Sequence, residues 1–392
     1  MSTVTRTGLI AQCKEKGIRG YSGKSTEAIL ALLATGATSS KPAICRLNYI
    51  GSKFQLIDWL RSTILEKTGR ACLAGSRITD LFAGTGVVSH HFRVLGAIVT
   101  SNDAELYSAI ITHAFTRSVS TLGIDVLASI QADIDAGKHL ASASDAVGNV
   151  TKHYSPYNGC ERQFFTVENA RRIDYIRGRI EDARPSLSDD DYRFLLASLL
   201  VSADAVSNVP AVYGCYLKSF KAKALKPLVL QSIHTIRTPP APGSRATHSN
   251  VLDPVFLASI DADIVYLDPP YNERQYSKNY FPLNIIAKTP ATELTLTGKT
   301  GIPTDCFISP FCKRGAVVEG AFETLFRDLK TTWIFLSYNS EAIVSKERML
   351  ELMGKYGVAT VIERDYKRFK SFEYNKDTAI KEYLFCLQKS SG

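Results

Sequence analysis

No stretch of this 392-residue chain approaches the ~20 uninterrupted apolar residues of a membrane-spanning helix, which excludes a helical membrane protein. The opening Met1-Ser2-Thr3-Val4-Thr5-Arg6 has no apolar core of signal-peptide length, so export is not expected. Eight cysteines, at 13, 45, 72, 160, 215, 306, 312 and 386, include no C-x-x-C pair. Neither a metal site nor a disulfide framework is therefore expected, and a reducing cytoplasm fits best. Internal repeats are also lacking. Acidic residues are outnumbered, 38 against 47 Lys and Arg, leaving a net charge of +9. On a chain without a membrane span, that balance favours a polyanionic partner such as nucleic acid. The length allows one large or two ordinary domains around a well-buried core.

What is present is most informative at Asp268-Pro269-Pro270-Tyr271, which follows the apolar run Ile264-Val265-Tyr266-Leu267. The run reads as a buried parallel strand, halted by an acid and two prolines. Successive prolines fix the backbone and remove amide donors, so an acceptor carboxylate, an unpaired carbonyl and an aromatic face converge at a strand's carboxyl end. Such a site suits an amino group on a flat ring. Asp80-Leu81-Phe82-Ala83-Gly84-Thr85-Gly86 follows the strand-like Arg77-Ile78-Thr79, and its small residues let backbone close on a ligand. The full G-x-G-x-x-G spacing is missing, which argues against NAD. Ile98-Val99-Thr100-Ser101-Asn102-Asp103 is a strand ending in an acid able to accept from a ribose diol; the same acid suits an N-cap of the following helix. Asn48-Tyr49-Ile50-Gly51-Ser52-Lys53 precedes an amphipathic segment. Between about 108 and 237 the pattern is mostly helical. Ile173, Ile176 and Ile180 alternate there with Arg171, Arg172, Arg177 and Arg179, predicting a helix apolar on one side and basic on the other, either solvated or laid along phosphates.

Together these motifs resemble the adenine-specific (N6) DNA methyltransferases, in the alpha-type order with Y-I-G-S-K first, D-L-F-A-G-T-G next and D-P-P-Y after a long insertion. D-P-P-Y-N-E-R-Q-Y-S-K-N-Y is similar to the family's extended catalytic motif, with Phe281 where a histidine is expected. Segments E-R-Q-F-F-T (161–166), E-N-A-R-R-I-D (168–174) and R-F-K-S (368–371) also look like the family's sequence. The resemblance implies an α/β, Rossmann-like sheet that binds S-adenosylmethionine and methylates adenine in double-stranded DNA, with no metal and with a restriction endonuclease as a possible companion. Asp268, Pro269, Pro270 and Tyr271 would be catalytic. Tyr49, Lys53, Asp80, Phe82, Ala83, Gly84, Gly86, Asn102, Asp103 and Asp268 would hold the cofactor. Arg171, Arg172, Arg274, Arg368 and Lys370 would meet DNA. Rival expectations are methylation of RNA adenine or cytosine N4, and a non-catalytic DNA-binding protein keeping the fold. A modification enzyme of this kind would act in the cytoplasm near the nucleoid, or in a host cell if viral.

Residues 1–34 stand apart. Two short apolar-periodic segments flank Gly17-Ile18-Arg19-Gly20-Tyr21-Ser22-Gly23-Lys24, and the whole resembles a SAP domain, a helix–turn–helix module that usually binds DNA, with Lys24 near the turn. Residues 35–43 read as a linker. The expected organisation is thus a catalytic domain of 44–107 and 246–392, interrupted by a target-recognition region of 108–245.

Overall fold

The computed structural model describes residues 9, 10, 12, 47, 49–141, 147–233, 241–366 and 380–390. The chain divides into one unit of Met1–Cys45 and a second of Arg46–Gly392. Of the first unit Leu9, Ile10 and Gln12 are described, all helical. The SAP-like turn with Lys24, the linker, Asn48, Arg368 and Lys370 lie outside the described residues.

In the second unit a seven-stranded sheet is built from β1 (Arg77–Asp80), β2 (Ile98–Asp103), β3 (Arg245–His248), β4 (Ile264–Leu267), β7 (Trp333–Asn339), β8 (Gly357–Tyr366) and β9 (Ile380–Lys389). A two-stranded ribbon, β5 (Leu296–Thr297) with β6 (Ile302–Pro303), stands apart. The sheet order is β3-β2-β1-β4-β7-β9-β8, and β9 alone runs opposite to the other six strands. From β1 the chain steps outward to β2 and β3, then returns to β4 on the other side. The crevice above β1 and β4 is therefore the switch point of an open α/β sheet, the place where such sheets bind ligands.

β1, β2 and β4 form where runs with β-branched residues stop at Asp. Every residue of β4 is buried. Alternation sends Val265 and Leu267 to one face, against Phe322 and Phe326 of a helix at Ala316–Asp328. Ile264 and Tyr266 go to the other, with Leu60 and Ile64 of α1 (Ile57–Thr68) and Phe92 of α2 (Val87–Val94). Next, α3 (Leu106–Thr116) packs on β2 and β3. Its residues from 108 onward thus belong to the sheet's helical layer, although the insertion was expected to begin there. At the other boundary β3 starts at Arg245, where one more residue of insertion was expected.

Three longer helices dominate the inserted region: α4 (Thr121–Asp135), α5 (Val167–Ala183) and α6 (Asp189–Ala205). Side-chain oxygens of Ser120, Thr166 and Ser188 accept the amides of Gly123, Asn169 and Asp191, which caps all three. Ile173, Ile176 and Ile180 of α5 are fully buried, as their spacing predicts. The uniform basic face is not observed. Arg177 follows Ile176 and stands one turn beyond Ile173, so helical geometry sends it to the apolar side. There it is buried and donates to the carbonyls of Ile286 and Lys288, both at 3.1 Å. Arg179 pairs with Asp133 at 3.2 Å.

Candidate active site

The first wall of the crevice is laced together by main-chain donors. Ala83 N–H donates to Asn102 O (2.9 Å) and Gly84 N–H to Asp103 Oδ2 (2.8 Å), while Asp103 Oδ1 accepts from Glu105 N–H (2.9 Å). Asp103 is therefore a turn-forming acid; the N-cap position of α3 is Glu105, and the expected capping role is not seen. Asn102 sits behind the wall, its carboxamide donating to Leu81 O and Ser249 O. Glycine is required at two positions. A Cβ on Gly84 (φ 54°) would press on the Tyr49 ring at 3.1 Å, and one on Gly86 (φ 73°) on Phe115 at 2.9 Å.

Asp268 leaves the end of β4 beside this wall. Its Oδ1 lies 2.8 Å from Lys53 Nζ, which also donates to Gly51 O at 3.1 Å. The Lys53 segment is held from above by the stretch that follows D-P-P-Y. Tyr280 OH accepts from Ile50 N–H (2.9 Å), Tyr276 OH donates to Ile50 O (3.3 Å), and the Tyr49 and Tyr280 rings stack with centroids 4.9 Å apart. Phe281 is fully buried between Tyr154 and Phe164, its centroid 5.7 Å from each. Where histidine was expected, the chain has a core aromatic facing the inserted region.

These walls enclose a cleft of about 950 Å³, including the space open to solvent. Tyr49, Lys53, Asp80, Phe82, Ala83 and Gly84 meet there with Asp103 and with Asp268, Pro269, Pro270 and Tyr271. Gly86 and Asn102 support the cleft from outside its lining. Arg171 is exposed, 5.8 Å from the Tyr157 ring centroid, and Arg172 is tied to Glu168 (3.1 Å) and Leu228 O (3.2 Å). Arg274 is exposed on the loop after Tyr271. Sequence reasoning missed Glu105, Asn250, Phe307 and Phe311, which also line the cleft. For Glu105 the only local signal was its place two residues after Asp103; the others come from distant loops.

Acids dominate the cleft's electrostatics. Burial pushes the Asp80 carboxyl up to about 7, against the pull of Ser89, whose Oγ donates to Oδ2 at 2.7 Å. Burial likewise takes Glu105 up to about 7, although Asn284 donates to it at 2.6 Å. Asp268 is raised by burial and pulled back by Lys53. Burial opposes the Lys53 ammonium, yet Asp268 and Glu382 outweigh it and hold its pKa above the ordinary lysine range. Among the described residues no cluster of His, Cys, Asp or Glu is suited to a metal ion.

Sheet and cleft together define a Rossmann-like methyltransferase. Residues 49–352 match the D12 class N6 adenine-specific DNA methyltransferase family. Type II methyltransferase M.NlaIII of Neisseria lactamica is 35% identical over 88% of this chain and 100% of its own length. M.CviAII, a type II methyltransferase of Paramecium bursaria Chlorella virus 1, is 37% identical over 87% of this chain and 98% of its own. M.FokI of Planomicrobium okeanokoites is 31% identical over 88% of this chain, which spans 53% of that longer protein. The chain belongs to the D12 class of N6 adenine-specific DNA methyltransferases, and its methyl donor is S-adenosylmethionine.

The cleft fits that donor, a cation with an amino-acid end and a nucleoside end. Asp80 Oδ1 is buried and makes no close hydrogen bond among the described residues, only the Phe82 amide acting weakly on the carboxyl, so it is an acceptor suited to an ammonium group. Asp103, already fixed by two main-chain donors, suits the ribose hydroxyls.

Proposed function

We propose that this chain is a site-specific modification methyltransferase acting on an adenine flipped out of duplex DNA, with a restriction endonuclease of matching specificity as its companion. The observation that carries the reading is the convergence of Asp268, Pro269, Pro270 and Tyr271 with Asp80 and Asp103 on one cleft at the switch point. An adenine inside a duplex cannot enter a cleft of this kind, so the base must leave the stack.

Bound S-adenosylmethionine supplies an electrophilic methyl group on a sulfonium centre. The chain's part is positioning. An exocyclic adenine amine is a poor nucleophile because its lone pair is delocalised into the ring. The Asp268 carboxylate and the Pro269 carbonyl accept hydrogen bonds from its two N–H groups, which turns the lone pair out of conjugation, and one of those protons is lost once the nitrogen carries the methyl group. Tyr271 offers a half-buried ring for the base to stack on. Asp80 and Asp103 would hold the two ends of the donor. Phe82 and Phe311, edge to face at 5.1 Å, give the cleft an apolar wall that excludes water.

Expression in a host without DNA methylation, followed by single-molecule sequencing, tests the reading. One short duplex sequence with modified adenines is expected. Modified cytosines, methylation confined to RNA, or unmodified DNA would each reject it.

A further inference from the structure

Glu382 is the group the reaction scheme leaves unused. In β9 it pairs in register with Asn339 of β7 and Arg364 of β8. Alternation along the strands places Tyr266 and Asp268 on one face of the sheet. Phe335, Ser337 and Asn339 share that face, as do Leu384 and Glu382. The Tyr266 hydroxyl meets Ser337 Oγ at 2.7 Å, and Tyr266, Phe335 and Leu384 share one core. Glu382 therefore occupies the carboxyl-end rim on the face where Lys53 reaches over to Asp268.

Its surroundings are unusual for a carboxylate. The residue is only 9% exposed, and the one cation acting on its carboxylate is Lys53. Burying an acid in that way is unfavourable unless a cation answers it. Arg364, its register partner, carries its guanidinium over the Trp59 ring, 6.0 Å from the centroid. Lys381 and Tyr383 point to the opposite face, where Lys381 pairs with Glu363 at 2.9 Å. The charged and titratable groups facing Glu382 are thus Lys53 and Asp268, with Tyr266 and Tyr271 beside them. Burial raises the Glu382 carboxyl, Lys53 draws it back and Asp268 raises it again.

Lys53 accordingly touches one acid and feels the charge of a second. In the described geometry its ammonium occupies Oδ1 of Asp268, an oxygen that an entering amine also needs. We propose that Glu382 is a positioning residue of this active site, whose carboxylate receives the Lys53 ammonium as the substrate amine engages Asp268. The exchange keeps Lys53 charged and paired throughout, and keeps Asp268 ionised while its oxygens turn to the amine. Without Glu382 the ammonium stays on Asp268, and the acceptor stays masked. This inference rests on the reading of Asp268 as the amine acceptor.

The test compares wild type, Glu382→Gln, Glu382→Asp and Asp268→Ala in transfer of labelled methyl groups to duplex DNA across pH 5–9 (~1 unit steps suffice to place the limbs). Affinity for S-adenosylmethionine is measured alongside by calorimetry. Glu382→Gln, a neutral isostere at a buried position, is expected to fold and bind the donor as wild type does. Its kcat should fall by roughly ten- to a hundredfold, the effect of losing an arrangement needed only on the way to the transition state. The acid limb of its kcat/KM should move to lower pH, because removing a neighbouring anion eases ionisation of Asp268. Glu382→Asp keeps the charge and should recover most of the rate with the limb in its wild-type place. Wild-type kcat with an unmoved limb in Glu382→Gln, while Asp268→Ala is inactive, would overturn this proposal alone. So would a rate loss accompanied by weakened donor binding and an unmoved limb, the mark of a merely structural residue. Activity in Asp268→Ala would overturn both this proposal and the reading beneath it.

Discussion

Lys53 and Asp268 meet at 2.8 Å although they lie far apart in the chain. That pairing was not legible in the sequence, where Lys53 read as the residue before an amphipathic segment and, by resemblance, as a cofactor contact. Each half was recognisable because its own neighbours carry the signal, whereas the contact between them is made by the sheet and by Tyr276 and Tyr280. Lys53 lowers the pKa of Asp268, so Lys53→Met should raise it and move the acid limb of kcat/KM to higher pH. The rate measured in a pH series checks this, and an unmoved limb would separate Lys53 from the Asp268 chemistry. Asp80 gives a second pH prediction. Its folded-state pKa of about 7 exceeds the unfolded value, so in the free enzyme stability falls as pH rises from about 4 toward 7 and levels off above. A cationic donor favours the ionised acid, so affinity for S-adenosylmethionine should weaken as pH drops below about 7. Calorimetry of Asp80→Asn should show a weaker affinity with that dependence flattened; an equally steep dependence would assign the proton elsewhere.

Among the elements, strands were the most legible part of the fold. β2 and β4 match their expected limits, and β1 contains the expected run, because buried strands are written as short runs with hard stops. β3 was not foreseen: Arg245-Ala246-Thr247-His248 has no apolar run and is fixed by parallel pairing with β2. The arginines of α5 were misjudged in the same physical sense. Arginine counts as polar in a pattern, yet Arg177 is buried because carbonyl oxygens at the end of the Phe281–Ala287 helix and Glu181 meet its guanidinium. It thereby ties the inserted region to the helix that carries Asn284, the partner of Glu105. Arg177→Ala should destabilise the protein by about 3–5 kcal/mol, since it strands those acceptors away from water. Urea unfolding checks this, and a cost under about 1 kcal/mol would mean the two layers are held by apolar packing alone.

At the scale of the whole molecule, residues 1–45 form a unit distinct from 46–392. If that unit is a phosphate-binding module, a chain beginning at Arg46 should methylate the same sequence with weaker DNA affinity and a shallower salt dependence. Roughly one unit of slope is lost for each phosphate contact removed. Binding measured across a salt series, followed by sequencing of the products, decides it; a changed target sequence would place base reading in the first unit. Charge excess pointed to such a polyanionic partner from composition alone, but which side chains read the bases was not legible, because base readout depends on their placement in the grooves. The account's central claim is narrower: one cleft, with Asp268 as the acceptor, carries methyl transfer to adenine N6. The most direct measurement incubates duplex DNA with labelled S-adenosylmethionine and either wild type or Asp268→Ala, then identifies the labelled nucleoside by mass spectrometry and measures DNA binding in parallel. The account predicts N6-methyladenine from wild type, and from Asp268→Ala a loss of at least roughly a thousandfold in rate with DNA affinity retained. Substantial N6-methyladenine from Asp268→Ala, or label on any other base from wild type, would contradict it.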